Sequence, residues 1–368
     1  YIMIKKILLV ITTFTFLLTG CWDNVEINDR EYIFAVGIDK GENDNLSFIA
    51  EIPKINEGSK EQRLIYTQES KNFANFYNDS YVRSDKVISD RLMQVIIIGE
   101  SVASDPESIK RVFDEIERSP QINRRVKIAV AKGSAKDIIT TEIPRNPIVG
   151  RYLSEMLIKL KKSNYQDIYT FDEALLNLQE YGSGMIPVVE KHEDSLKIES
   201  SAIMKDYKHI GNLNNDENEI IMLLIEPKTS NLKNMSVSID DSNISLGAVN
   251  IKVTDKIKLN GDKLTVDYYV SLYCYIDSFT LNNKSLADIN FISRIKDTAT
   301  KQISELTDNT ISKLQKTYKA DVMRIKGNLN KFHNKEYDKI KDKYEQVFAD
   351  ADIKVHYVMD IKSTGLVK

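Results

Sequence analysis

Met93-Gln94-Val95-Ile96-Ile97-Ile98-Gly99-Glu100 decides the fold of the first part of this chain. Its apolar core does not alternate with polar residues, and a glycine ends it. Such a run suits a strand buried on both faces. The neighbouring segments agree with a layered α/β arrangement. Asp105–Arg118 places Ile109, Val112, Phe113 and Ile116 at helical spacing, with Pro106 in the first turn. Arg125–Ala131 reads as another strand and Ala135–Thr140 as a short helix, stopped near Pro144. On the N-terminal side, Asn72–Ser84 carries Phe73, Phe76, Tyr77 and Tyr81 at roughly helical spacing, and Leu64–Gln68 reads as a strand. Tyr32–Asp39 and Leu46–Ile52 read as a hairpin across the polar turn Lys40–Asn45.

Pro144-Arg145-Asn146-Pro147 interrupts this pattern and suggests a boundary. Ile148–Lys162 and Phe171–Tyr181 then read as helices, Gly182-Ser183-Gly184 as a loop, and Met185–Val189 as a strand. Leu196–Lys205 and Glu219–Ile225 read as strands around a polar turn, Asn212–Asn218, and Asn231–Ser245 as a polar surface excursion. Ser245–Lys258 and Lys263–Ile276 are long strands joined by Asn260-Gly261, a strong hairpin signal. Ile292, Ile295, Ala299, Ile303, Leu306, Thr310 and Leu314 form the apolar stripe of a long helix. A second helix is expected over Asn334–Phe348, with Tyr337, Ile340, Tyr344 and Phe348 on one face, and Ile353–Ile361 alternates as a strand. The fold class expected is α+β. It comprises three mixed α/β modules, 21–142, 143–195 and 196–368, with mostly antiparallel or mixed sheets and packed helices.

The N-terminus carries a different signal. Lys5 and Lys6 precede Ile7–Leu18, an almost unbroken apolar run. It is shorter than the roughly 20 residues of a spanning helix and fits the h-region of a signal peptide. Leu18-Thr19-Gly20-Cys21 follows, the pattern of a lipoprotein cleavage site between Gly20 and Cys21. Residues 1–20 are therefore expected to be a signal peptide. The Cys21 thiol would carry a diacylglyceryl group, with or without an N-acyl chain, and two acyl chains hold a protein stably on a membrane. Tyr1 opens the chain, and Met3 offers an alternative start that leaves this signal intact. Trp22 would sit at headgroup level, with Asp23 and Glu26 in water or against a partner.

Composition narrows the chemistry. The formal charge of −3 gives no footprint for nucleic acid. His192, His209, His333 and His356 lie far apart and show no metal-ligand spacing. Neither a phosphate-binding glycine loop nor a nucleophile elbow occurs. No catalytic residue, metal or cofactor is expected beyond the lipid. With Cys21 acylated, Cys274 has no disulfide partner and reads as a buried small hydrophobe.

The sequence from Gly20 to Asp29, Gly-Cys-Trp-Asp-Asn-Val-Glu-Ile-Asn-Asp, resembles the mature start of the Ger(x)C spore-germination lipoproteins. Gly37-Ile38-Asp39, Val95–Glu100, Val126–Gly133, Ile186-Pro187, Asp321 and Gly327 are similar to further family motifs. Trp22 is the only tryptophan, whereas many members carry one in the C-terminal helix; Tyr337 and Tyr344 stand there, and Val322 replaces the aromatic after the family's Asp. The resemblance implies a three-domain α+β ectodomain without enzymatic activity. It implies the C subunit of a nutrient germinant receptor, anchored on the outer face of the spore inner membrane and joined to polytopic A and B subunits. Direct small-molecule binding by the ectodomain is not expected. The alternative is a solute-binding lipoprotein of a transporter.

Overall fold

The computed structural model describes residues 3–6, 29–54, 62–162, 170–226, 235–281, 285–286 and 288–363. Its larger sheet has eight strands. They are β2 (Ala35–Lys40), β3 (Leu46–Pro53), β4 (Arg63–Ser70), β6 (Val95–Ile98), β7 (Lys127–Ala131), β8 (Ser183–His192), β9 (Ser195–Lys205) and β10 (Lys208–Asn214), in the order β10-β9-β8-β7-β6-β2-β3-β4. The four central strands β8, β7, β6 and β2 are parallel, and the flanking pairs are antiparallel. A short β1 (Arg30–Tyr32) pairs in parallel with β5 (Val87–Ser89) beside this sheet.

Strand β6 explains the architecture. Ile96 and Ile98 point into one apolar cluster, together with Val36, Ile38, Phe48, Ile128 and Val130. Helices α1 (Phe73–Tyr81), α3 (Pro106–Arg118) and α6 (Phe171–Tyr181) cover that face through Phe76, Phe113 and Phe171. Val95 and Ile97 point the other way, into a cluster closed by α4 (Ala135–Ile139) and α5 (Val149–Lys162). Between α3 and β6 lies the four-residue α2 (Glu100–Ala103). The caps follow the sequence. Asn72 accepts from the Asn75 amide and Asp105 from that of Glu107, satisfying donors that each helix leaves open. The hairpin turn between β2 and β3 places Asn43 and Asp44 at positive φ, which these residue types tolerate.

The smaller sheet has the order β11-β12-β13-β14: β11 (Met235–Ile239), β12 (Ser242–Asn260), β13 (Lys263–Thr280) and β14 (Asp352–Ser363). Only the β13–β14 pairing is parallel. The long helix α8 (Ile289–Ser312), which ends in a π-helical turn over Lys313–Tyr318, packs on it together with α7 (Asn215–Ile225), α9 (Ile325–Phe332), α10 (Asn334–Tyr337) and α11 (Tyr344–Ala349).

Several expectations need correction. The stretch 143–195 is not a module with its own sheet: β8 pairs with β7 and β9 inside the eight-stranded sheet. The limit at 196 also cuts that sheet, because β9 and β10 belong to it. Met185, Ile203 and Leu213 of the large sheet share one apolar cluster with the C-terminal sheet. Glu219–Ile225 is the body of helix α7, not a strand. Asn214 and Glu217 form a capping box at its start, and Ile220 to Leu224 are all buried. A fully buried apolar run loses the periodicity that separates helix from strand. Ser183 and Gly184 belong to β8, with only Gly182 left as the left-handed helix cap. Within the supposed excursion, Met235–Ile239 and the start of β12 form a hairpin across Asp240 and Asp241, both at positive φ; residues 231–234 lie outside the described residues. The helix expected over Asn334–Phe348 is broken into α10, a 3-10 turn at Lys341–Lys343 and α11. Its apolar face survives the breaks, since Tyr337, Ile340, Tyr344 and Phe348 are all buried.

Candidate functional site

Gly20, Cys21, Trp22, Asp23 and Glu26, expected from sequence to carry cleavage, lipid and contacts, lie outside the described residues. The described chain resumes at Asp29 and enters β1 at Arg30.

The other motif residues can be placed, and the fold brings three of the segments together. Gly37-Ile38-Asp39, Gly99-Glu100 and Lys132-Gly133 stand at the adjacent C-terminal ends of β2, β6 and β7. In open α/β sheets this edge is where ligands usually bind. Here its polar groups are occupied by one another. The Asp39 carboxylate accepts from the Ser134 hydroxyl at 2.8 Å and from the amides of Ala135 at 2.8 Å and Lys136 at 2.9 Å. It thus caps α4 from a strand nearly a hundred residues away in sequence. The Glu100 carboxylate accepts from the Gly133 amide at 2.9 Å, and the Lys132 ammonium meets Glu190 at 2.6 Å. Gly99 is needed for space: a Cβ there would stand 2.0 Å from an Asp39 carboxylate oxygen.

A second cluster was not visible in the sequence. Glu51, fully buried on β3, accepts from Arg63 Nη1 at 2.7 Å and from the amides of Val149 at 2.7 Å and Gly150 at 2.6 Å. Arg63 also donates to the carbonyls of Ile139 and Thr141. Burial raises the Glu51 pKa, opposed by Arg63 and the two amides. This carboxylate therefore fastens the start of α5 to the sheet. The only sequence signal was a glutamate inside the apolar strand run Leu46–Ile52.

A third group joins the two sheets. Asp321, buried after α8, accepts from the amides of Ile325 and Lys326 and from the Tyr344 hydroxyl at 2.6 Å. It holds the first turn of α9, burial raises its pKa, and these three donors oppose the rise. Arg324 reaches Asn177 on α6 at 3.1 Å, and Lys205 on β9 pairs with Glu345 on α11 at 2.8 Å. A cleft of about 190 Å³ runs along this joint between Ser183, Asp206, Lys326 and Asp342.

The chemistry of these clusters is structural. Asp39, Glu51 and Asp321 each accept from two backbone amides and from one side-chain donor, the Ser134 hydroxyl, the Arg63 guanidinium and the Tyr344 hydroxyl respectively. Among the described residues, no group of three or more His, Cys, Asp and Glu side chains could hold a metal. Cys274 is buried and its thiol is pushed up to about 11, chiefly by burial, which fits the inert core residue expected from sequence.

Comparison with known proteins covers both parts of the chain. The family described as "Spore germination protein N-terminal domain" matches residues 23–191, and "Spore germination B3/ GerAC like, C-terminal" matches 199–365. Among curated relatives, spore germination protein YndF of Bacillus subtilis (strain 168) is 23% identical, covering 95% of this chain and 94% of its own. Spore germination protein B3 of the same organism is 21% identical, with 95% of each chain covered. The crystal structure of the GerBC protein shares the fold at a TM-score of 0.61 and 17% identity, covering 89% of this chain and 96% of its own.

Proposed function

Because the chain belongs to the GerAC-like family of spore germination proteins, the C-type subunits of germinant receptors, we propose that it is a lipid-anchored receptor subunit. It is held on the outer face of the spore inner membrane by a diacylglyceryl group on Cys21 and works beside polytopic A and B subunits. Its role is assembly and signalling rather than catalysis. The observation that carries this reading is that both family matches together run from residue 23 to residue 365, over the two sheets and the joint between them. The Leu18-Thr19-Gly20-Cys21 box supports the anchor. No described helix is long and apolar enough to cross a membrane. The satisfied polar clusters suit a rigid body that presents surfaces to partners. A Cys21→Ala variant, expressed without the partner subunits and fractionated after a high-salt wash, tests the anchor. The expected result is release into the soluble fraction. Retention in the membrane would remove the lipid from the account.

A further inference from the structure

We propose that the surface around the start of β1 is the side of the protein that rests on the bilayer, with anionic phospholipid headgroups as its ligand. The inference builds on the reading that Cys21 is lipidated. From Cys21 to Arg30 the covalent chain reaches at most about 30 Å even when fully extended. The surface near Arg30 is therefore kept close to the lipid.

That surface has the composition of a membrane contact. Arg30 of β1 pairs in register with Val87, which brings the chain's entry point beside the loop Val82–Lys86 that follows α1. Tyr81 at the end of α1 and Val82 at the start of this loop stand out, 68% and 79% exposed. Among the described residues other exposed apolar side chains are Met3 and Ile4 near the N-terminus, Leu92 beside Arg91, Leu176 on α6, and Ile289, Phe332 and Val358 on the elements of the C-terminal sheet. Next to Tyr81 an open cavity of about 610 Å³ is bordered by Arg30, Arg91 and Arg118, with Phe73 and Tyr77 in its wall. Arg83 and Lys86 are exposed on the same loop. Two of the acids there are withdrawn. Asp90 is buried, and Glu115 accepts from the Phe73 amide at 2.8 Å. Asp29 and Asp85 are exposed and Glu31 is half-buried, fewer than the exposed cations Arg83, Lys86, Arg91 and Arg118. Exposed aromatic and aliphatic tips among arginines and a lysine are what an interfacial contact needs. The apolar tips enter the headgroup boundary, and the cations meet anionic phosphates. Each basic side chain near such a surface contributes roughly a fivefold gain in partitioning.

The test uses the full lipidated chain with Val82→Cys, labelled with an environment-sensitive fluorophore and reconstituted on vesicles. Cys21 is acylated and Cys274 is buried, so the new thiol takes the label. On vesicles of phosphatidylcholine and phosphatidylglycerol, the label at position 82 is expected to shift to the blue. A label at Asp194→Cys, in the β8–β9 turn, is expected not to shift. Arg83→Gln with Lys86→Gln should weaken the insertion roughly fivefold for each charge removed. A chain that floats with the vesicles while its position-82 label stays in water overturns this inference and leaves the anchor standing. A shift equally large on pure phosphatidylcholine overturns the anionic ligand. A chain that does not float overturns the anchor and this inference together.

Discussion

Gly327 on α9 lies against Tyr181 at the end of α6, so closely that a Cβ at Gly327 would stand 2.3 Å from the ring's Cε1. The contact locks the C-terminal elements to the helices of the large sheet, next to the buried Asp321. Gly327→Ala must push this ring or the helix aside, and overpacking of this kind costs about 1–3 kcal/mol. Tyr181→Ala opens the space and should rescue most of the Gly327→Ala loss in the double variant. Denaturation midpoints of the four proteins check this, and additive losses would show that the two residues do not meet.

A similar coupling is expected at the strand ends. Asp39→Ala removes the cap on α4 and should cost about 1–2 kcal/mol. Gly99→Ala displaces the same carboxylate and should cost a similar amount. The double variant should then lose little more than either single one, because one interaction is removed only once. A double-mutant cycle with purely additive losses would contradict the arrangement.

The long helix offers a graded test. Ile303 is buried against the C-terminal sheet, whereas Leu306 is only half-buried. Ile303→Ala should cost roughly 2–5 kcal/mol, and Leu306→Ala about 1–2 kcal/mol. Equal losses in urea denaturation would mean that the stripe is seated differently.

Asp90 makes stability depend on pH. It is buried beside Tyr77, its oxygens have no hydrogen-bond partner of good geometry, and burial raises its pKa against a smaller opposing pull from Tyr77. Between the ordinary carboxylate pKa and the raised one, the folded state therefore keeps a proton that the unfolded chain has lost. Stability from this group falls as pH rises from the ordinary carboxylate value through the raised one. Asp90→Asn should raise stability at pH 7, and the gap from the wild type should close toward pH 3. A gap independent of pH, or a less stable variant at pH 7, would refute this.

How much was legible in the sequence depended on what each residue faces. The isoleucine run of β6, Pro106 in the first turn of α3 and the Asn260-Gly261 hairpin carry local signals, and the structure follows them. Helix α7 was misread because burial on all sides erased its amphipathic stripe, although Asn214 and Glu217 marked its start. The single sheet running through 143–195 depends on pairings such as β7 with β8, which join distant segments and leave no local trace. Asp39 was visible as a motif residue, but that it caps α4 became visible only in three dimensions. Glu51 and Arg63 gave no spacing that could have pointed to α5.

The most direct test of the central claim is the nutrient response of spores. Spores of a strain with no paralogous receptor are compared with and without this chain, and with the Cys21→Ala form. The account predicts that loss of the chain blocks nutrient-triggered germination while triggers that bypass receptors still act, and that the unanchored form restores it poorly. Equal nutrient responses with and without the chain would contradict the assignment.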